Sequence, residues 1–294
     1  MFRRAGVALL LGLCAGAVAA QEPQDLLANM REALQTRDFA GEVVLLREGQ
    51  LEALSVDHVA AGDRTDITPL NRADGELSRS GQQVTFAADR VVDLGEALRV
   101  DAPEFAQSYQ LRIVGEDRVA GRPVQVIEAL PRDAWRFGRR FWVDRESGLP
   151  LRSAIRAADG NIIEQWMFTR IELRRVAPPV YGDRAQPEHF VGPQSESLAQ
   201  TRYRIDGAPD GFGLLAASRS PDSEHLVLAD GMSKVSVFVE PLKRDQQVLT
   251  GAHRRGALHV FGRVIPGHQV VVVGEVPAAT VERIAQGVTA VSGG

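Results

Sequence analysis

Residues 137–173, FGRRFWVDRESGLPLRSAIRAADGNIIEQWMFTRIEL, read as three strands and two tight turns. Arg139 to Asp144 is short and aromatic, and Arg145-Glu146-Ser147-Gly148 supplies residues that reverse the chain into Leu149 to Ala157. Asp159-Gly160 predicts a second reversal, a type I′ hairpin turn with positive φ at both central positions. Along the third strand Ile163, Met167, Ile171 and Leu173 alternate with Ile162, Trp166 and Phe168, so apolar side chains stand on both faces. A sheet apolar on both sides must cover both. Each face either packs on a helix or lines a cavity, and periodicity does not choose between them.

Outward from this meander the same pattern continues. Strands are expected at Phe39 to Glu48, Leu51 to Ala60, Arg64 to Pro69, Glu76 to Ser80 and Gln83 to Asp89, separated by glycines. Val92 to Phe105 reads as a crossing loop in which Pro103 makes a long helix unfavourable. Gln110 to Val114, Asp117 to Val119 and Val124 to Ala129 follow, the last two joined by a turn at residues 120–123. Ahead of all these, Pro23 to Arg37 spaces Leu26, Leu27, Met30 and Leu34 as an amphipathic helix, with Asp25 complementing its dipole. After Leu173 the prolines Pro178, Pro179, Pro187 and Pro193 among polar residues mark a linker at 177–200. From Tyr203 a second strand-rich unit begins: a hairpin at Glu224 to Ala229 and Lys234 to Pro241 about Asp230-Gly231, another at Ala257 to Val264 and Gln269 to Val276, and a closing helix from Pro277 to Val291.

The 294 residues suffice for two cores. Arg3 and Arg4, the apolar run to Ala17 and the small residues before Gln21 have the form of a cleavable secretory signal at 1–20, too short to span a membrane. The expected units are therefore 21–176, the linker 177–200, and 201–294. Cys14, the only cysteine, lies in the signal, so the mature chain carries no disulfide. Removing Arg3 and Arg4 shifts the net charge from −4 to −6, and no concentrated basic surface suggests nucleic acid.

Chemistry-bearing motifs are absent from the sequence. The six histidines lack zinc spacing, and there is no Gly-x-Ser-x-Gly elbow, phosphate loop or HExxH. No metal, cofactor or catalytic residue is therefore expected. A hydrolase would need a histidine and a carboxylate brought together only by the fold. Arg132, Arg136, Arg139 and Arg140 are interleaved with Trp135, Phe137, Phe141 and Trp142. Such a group either forms the mouth of a site for an anionic amphiphile or covers a half-exposed strand edge. Trp166 and Phe168 likewise either fill a core or line a ligand cavity.

Several segments together resemble the RseB/MucB family of periplasmic regulators of the envelope-stress sigma factor. They are Phe39-Ala-Gly-Glu-Val-Val, Gly49-Gln-Leu-Glu, Val56-Asp-His-Val, Arg112-Ile-Val-Gly-Glu-Asp-Arg-Val-Ala-Gly-Arg-Pro and Trp142-Val-Asp-Arg-Glu-Ser-Gly-Leu-Pro-Leu. The second unit adds Pro209-Asp-Gly-Phe, Ala229-Asp-Gly-Met-Ser-Lys-Val-Ser-Val-Phe-Val-Glu-Pro-Leu and Val273-Gly-Glu-Val-Pro. Their order and spacing agree over nearly the whole mature chain. The resemblance implies an α+β fold: a curved antiparallel half-barrel similar to LolA and LppX, with helices in its concavity, and a smaller sheet-and-helix domain. It implies a periplasmic protein without catalysis. Such a protein binds the periplasmic domain of an RseA/MucA-type anti-sigma factor, shields it from site-1 proteolysis, and releases it on meeting lipid or lipopolysaccharide. A homo-oligomer is admitted. On this resemblance one sheet face, with Trp166, Phe168 and Trp142, looks into the hollow. Phe141 and Phe86 complete the lipid-pocket candidates, and Arg136, Arg139 and Arg140 are the head-group candidates. A lipoprotein or lipid carrier of LolA type is the alternative.

Overall fold

The computed structural model describes residues 22–60, 64–71, 103–174, 201–243 and 248–291. The signal at 1–20, the linker at 177–200, the strands at 76–80 and 83–89, and Phe86 lie outside the described residues.

Helix α1 (Pro23–Thr36) starts with Pro23, whose missing N–H costs nothing at a helix N-terminus, and Asp25 lies in the first turn. Its spacing buries Leu26, Leu27, Met30, Ala33 and Leu34 along one side. The strands β1 (Phe39–Arg47), β2 (Gln50–Val59) and β3 (Arg64–Pro69) precede a short helix α2 (Pro103–Ser108). Then come β4 (Tyr109–Val119), β5 (Arg122–Pro131), β6 (Gly138–Asp144), β7 (Pro150–Arg156) and β8 (Ile162–Leu173). All eight form one antiparallel sheet in the order β3-β2-β1-β8-β7-β6-β5-β4. It is strongly curved: edge strand β4 approaches β8 although β5, β6 and β7 separate them in the sheet. The two strands expected at 110–114 and 117–119 are a single strand, β4, with a bulge between Ile113 and Gly115.

The reversals follow local chemistry. Glu48-Gly49 and Ala120-Gly121 have positive φ at both positions (51° and 75°, 48° and 75°), the backbone of a two-residue I′ hairpin. At the β7–β8 reversal only Gly160 does, at 87°. Ala157 and Asn161 close a longer loop there, with the Ala157 N–H donating to the Asn161 carbonyl at 2.9 Å, so the expected I′ turn gives way to a loop ending on a left-handed glycine. Gly148 has a φ of 77°, which favours glycine, and it lies so close to Ala33 and the Asn29 carbonyl of α1 that a Cβ would be tight against both, at 3.2 and 3.3 Å.

The second unit contains β9 (Tyr203–Ile205), β10 (Gly213–Arg219), β11 (Glu224–Ala229), β12 (Lys234–Pro241), β13 (Gly251–Arg255), β14 (Leu258–Ile265) and β15 (His268–Gly274). Helix α3 (Ala278–Gly287) and β16 (Val288–Ala290) end it. Six strands pair in the order β10-β11-β12-β15-β14-β13, and β16 pairs with β9. The last helix stops at Gly287 rather than continuing to Val291, because the chain passes directly beside the Asp206 carbonyl and turns into β16. Val281, Ile284 and Ala285 of α3 close over Leu226, Val237, Val239 and Val272, a core separate from that of the first sheet.

Candidate functional site

Residues paired across an antiparallel ladder share a face, so the register assigns every expected site residue to a side of the first sheet. Ile127, Phe141, Ser153, Trp166 and Leu45 form one continuous row across five strands. Phe168, opposite Val43, belongs to the same face. Phe141, Phe168, Val43 and Leu45 are buried, Trp166 is 7% exposed, and all pack in one core with Leu27, Met30 and Leu34 of α1. The Trp166 and Phe168 rings meet edge to face at 6.0 Å, and Phe39 meets Phe168 in the same way.

Trp142 is not with them. It pairs with Val126 and Arg152, one residue out of phase with Phe141, and so stands on the opposite face. It is buried because Arg152 lies over its ring at 4.1 Å, while its indole N–H donates to Asp117 at 3.1 Å. Grouping Trp142 with Trp166 is therefore corrected by the pleat. The pairing of Ile171 and Leu173 with Met167 is corrected too. A bulge opposite Glu42 and Val43 adds one residue between Phe168 and Arg170, and it returns Ile171 and Leu173 to the core face, leaving Met167 on the outer one.

The arginines separate into two systems. Arg136 is buried between the two units. Its Nε donates to Asp230 Oδ2 at 2.9 Å, it also meets Asp133 and the Asp210 carbonyl, and its guanidinium lies 4.9 Å from the Phe212 ring centre. Tyr109 donates its hydroxyl to the same Asp230 oxygen at 2.7 Å. Burial, and then the charge of Asp230, push the Tyr109 phenol well above its ordinary pKa, so it remains a donor. The second carboxylate oxygen accepts the N–H groups of Met232 and Ser233. Arg139 pairs with Glu275 of the second unit at 3.0 Å. Arg136 and Arg139 thus clasp the two units together in this structure. Their charges are spent on carboxylates, which corrects their expected place at a ligand mouth. Around them Gly256 N–H donates to Glu48, Thr280 donates to the Trp135 carbonyl, and Phe137 and Ile155 pack on Ala257.

Arg140 belongs to the second system. On the outer face Glu128 is fully buried and accepts from Arg112, Arg140 and Arg156. Burial alone would raise its pKa. Hydrogen bonds from Arg140 and Arg112, together with their charges, outweigh this and hold the carboxyl below its usual range.

A cleft of about 490 Å³ lies between α1 and the β6–β7 turn, lined by Asn29, Glu32, Arg37, Val143, Arg145 and Ser147 among others. Among the described residues no cluster of histidine, cysteine, aspartate and glutamate could hold a metal. No helix among them is long and apolar enough to cross a membrane. Sequence reasoning missed Asp230, Tyr109, Glu128 and Glu275. Each gains its role from a partner distant in sequence, and nothing local to the chain marks it.

Comparison with known proteins adds to this geometry. The profile of the MucB/RseB N-terminal domain matches residues 22–190 and that of the MucB/RseB C-terminal domain residues 197–289. The sigma factor AlgU regulatory protein MucB of Pseudomonas aeruginosa is 32% identical over 96% of this chain and 96% of its own length. The sigma-E factor regulatory protein RseB of Escherichia coli is 26% identical, covering 90% of this chain and 89% of that one. A crystal structure of MucB in complex with MucA(peri) superposes with a TM-score of 0.64 at 28% identity, over 92% of this chain and all of the other.

Proposed function

The chain belongs to the MucB/RseB family, and from that premise we propose that it is a periplasmic regulator of an envelope-stress sigma factor. It binds the periplasmic part of an RseA/MucA-type anti-sigma factor and protects it from site-1 proteolysis. It lets go when lipid or lipopolysaccharide occupies the first unit. The observation that carries this reading is the extent of the likeness: it spans both sheets and the relative that was crystallised with MucA(peri). The protein acts by binding and not by catalysis. Its units are the half-barrel at 21–176 and the second domain at 201–294, joined by 177–200. A carrier of LolA type would leave the second domain, and the clasp that fastens it, without a task.

Physically, a lipid can drive release only by binding the partner-free state more tightly than the partner-bound one. Trp166, Phe168 and Phe141 form the apolar wall of the first unit, and acyl chains that reach this wall would compete with its packing on α1. Arg140 stands on the outer face against Glu128, opposite this wall, so it does not hold the head group of a lipid bound there. The test is a titration of the chain, bound to the periplasmic segment of its anti-sigma partner, with lipopolysaccharide and lipid A. Partner affinity is expected to fall at least tenfold at saturation. Unchanged affinity removes the sensing step, and failure to bind the segment removes the reading as a whole.

A further inference from the structure

The outer face of the first sheet has a composition that the reading above does not use. One row across it starts with Arg112, Glu128 and Arg140 on β4, β5 and β6, crosses Ala154 and Gln165, and ends with Leu46 and Leu51 on β1 and β2. The next row continues from Trp142 and Arg152 to Met167 and Val44. Arg156 and Ile162 pair at the end nearest the second unit. One half of the patch is therefore cationic and the other aliphatic: Leu51 is 59% exposed, Ile162 48%, Leu46 38% and Met167 36%.

The charge does not cancel. Arg112, Arg140, Arg152 and Arg156 face two carboxylates, Glu128 and Asp117, which leaves a surplus of two positive charges within the patch. Glu128 draws three of the guanidiniums together at its buried position, and Arg152 is fixed by the Trp142 ring and by Gln165 Oε1 at 2.8 Å. The cations are thus held in place before any ligand arrives. Lone exposed leucines need no explanation, but four exposed aliphatics bordering a fixed cationic group form a surface suited to the boundary between head groups and acyl chains.

We propose that this face docks on an anionic lipid bilayer, with the arginines on lipid phosphates and Leu46, Leu51, Ile162 and Met167 entering the head-group layer. The shape favours a bilayer over an acidic peptide. Seven strands at ordinary spacing make the row about 30 Å long along the curve of the sheet, and on this outer side the curve is convex. All but β4 are flanked on both sides by paired strands, so the face offers neither the groove nor the free edge that an extended peptide uses. The proposal is independent of lipid-triggered release, because it concerns the opposite face from Trp166 and Phe168.

The experiment is co-sedimentation of the chain from Gln21 onward with vesicles of phosphatidylcholine, alone or with about a quarter phosphatidylglycerol, at low salt. Binding is expected only with phosphatidylglycerol and is lost as salt screens the charges. The double variant Arg112→Gln/Arg152→Gln should bind about thirty-fold more weakly, from roughly fivefold per basic residue. Leu46→Ser/Leu51→Ser keeps every arginine and should also bind several-fold more weakly. Circular dichroism confirms that both variants are folded. Equal binding to the two vesicle types, or unchanged binding by both variants, overturns the proposal. So does binding of a soluble oligoglutamate without vesicle binding, which would mark the patch as a site for an acidic protein segment. Dihexanoyl phosphatidylglycerol below its micelle concentration separates the two ideas: monomer binding that the outer-face variants do not weaken belongs to the inner wall, whereas vesicle binding that both variants leave unchanged overturns the proposal for this face.

Discussion

Glu128 is a single carboxylate on which three guanidiniums depend. Glu128→Gln would leave Arg112, Arg140 and Arg156 repelling one another over a neutral amide. Their partial exposure moderates the penalty, and a loss of about 2 kcal/mol in chemical denaturation is expected. His225 makes a different residue-scale prediction. Its ring stacks on Phe238 at 4.2 Å, its Nε2 is buried without a hydrogen-bond partner, and burial pushes its pKa below the ordinary value. The unfolded chain takes up a proton near pH 6.5 that the folded chain resists. Stability is therefore complete above that pH and declines on acidification towards the lower folded value. Urea midpoints measured at pH 7.5 and 5.5 should show the decline, and His225→Phe should reduce it. His259, also depressed by burial, keeps the remainder. Neither role was legible in the sequence, where Glu128 sits in an ordinary strand and His225 in an alternating one. Each is created by its cross-strand neighbours.

At the scale of the element, β8 shows where sequence reading succeeds and where it fails. Its limits, its antiparallel pairing with β7 and its two apolar faces follow from residues 137–173. The parity beyond Phe168 does not, because the bulge lies opposite Glu42 and Val43, about 125 residues away in the chain, and a local pattern carries no trace of it. Gly41 shares responsibility: a Cβ there would collide with the Arg170 carbonyl and the Phe168 ring. Deleting Thr169 should remove the bulge and leave Phe168, Ile171 and Leu173 in plain alternation on the core face, still opposite Val43, Gly41 and Phe39. The thermal midpoint is expected to fall far less than in Ile171→Ser/Leu173→Ser, which takes two partly buried apolar side chains out of the core and should cost several kcal/mol. The turns were more legible than the faces. Asp230-Gly231, Pro266-Gly267 and Gly148 reverse the chain where their residue types predict, whereas Asp159-Gly160 reverses it with a different backbone.

For the whole molecule, two strand-rich units could be read from composition and spacing, but their docking could not. Arg136 and Asp230 are 94 residues apart. The aromatic neighbours of Arg136 made it resemble a ligand contact when it is a fastening. Removing one partner of a buried pair typically costs about 3–5 kcal/mol. Arg136→Ala should therefore uncouple the units, and scanning calorimetry is expected to resolve two melting transitions where the parent chain shows one. A single transition in the variant would mean that the remaining seam contacts suffice.

The seam between the units is built largely from arginines, carboxylates and backbone groups, with apolar contacts at Phe137, Ile155 and Ala257 and at Met232, which is buried in the core of the first sheet. If the halves part, Met232 leaves that core, but most of what each half presents to the solvent is charge that water can hydrate, and the complementary charges can bring the same halves together again.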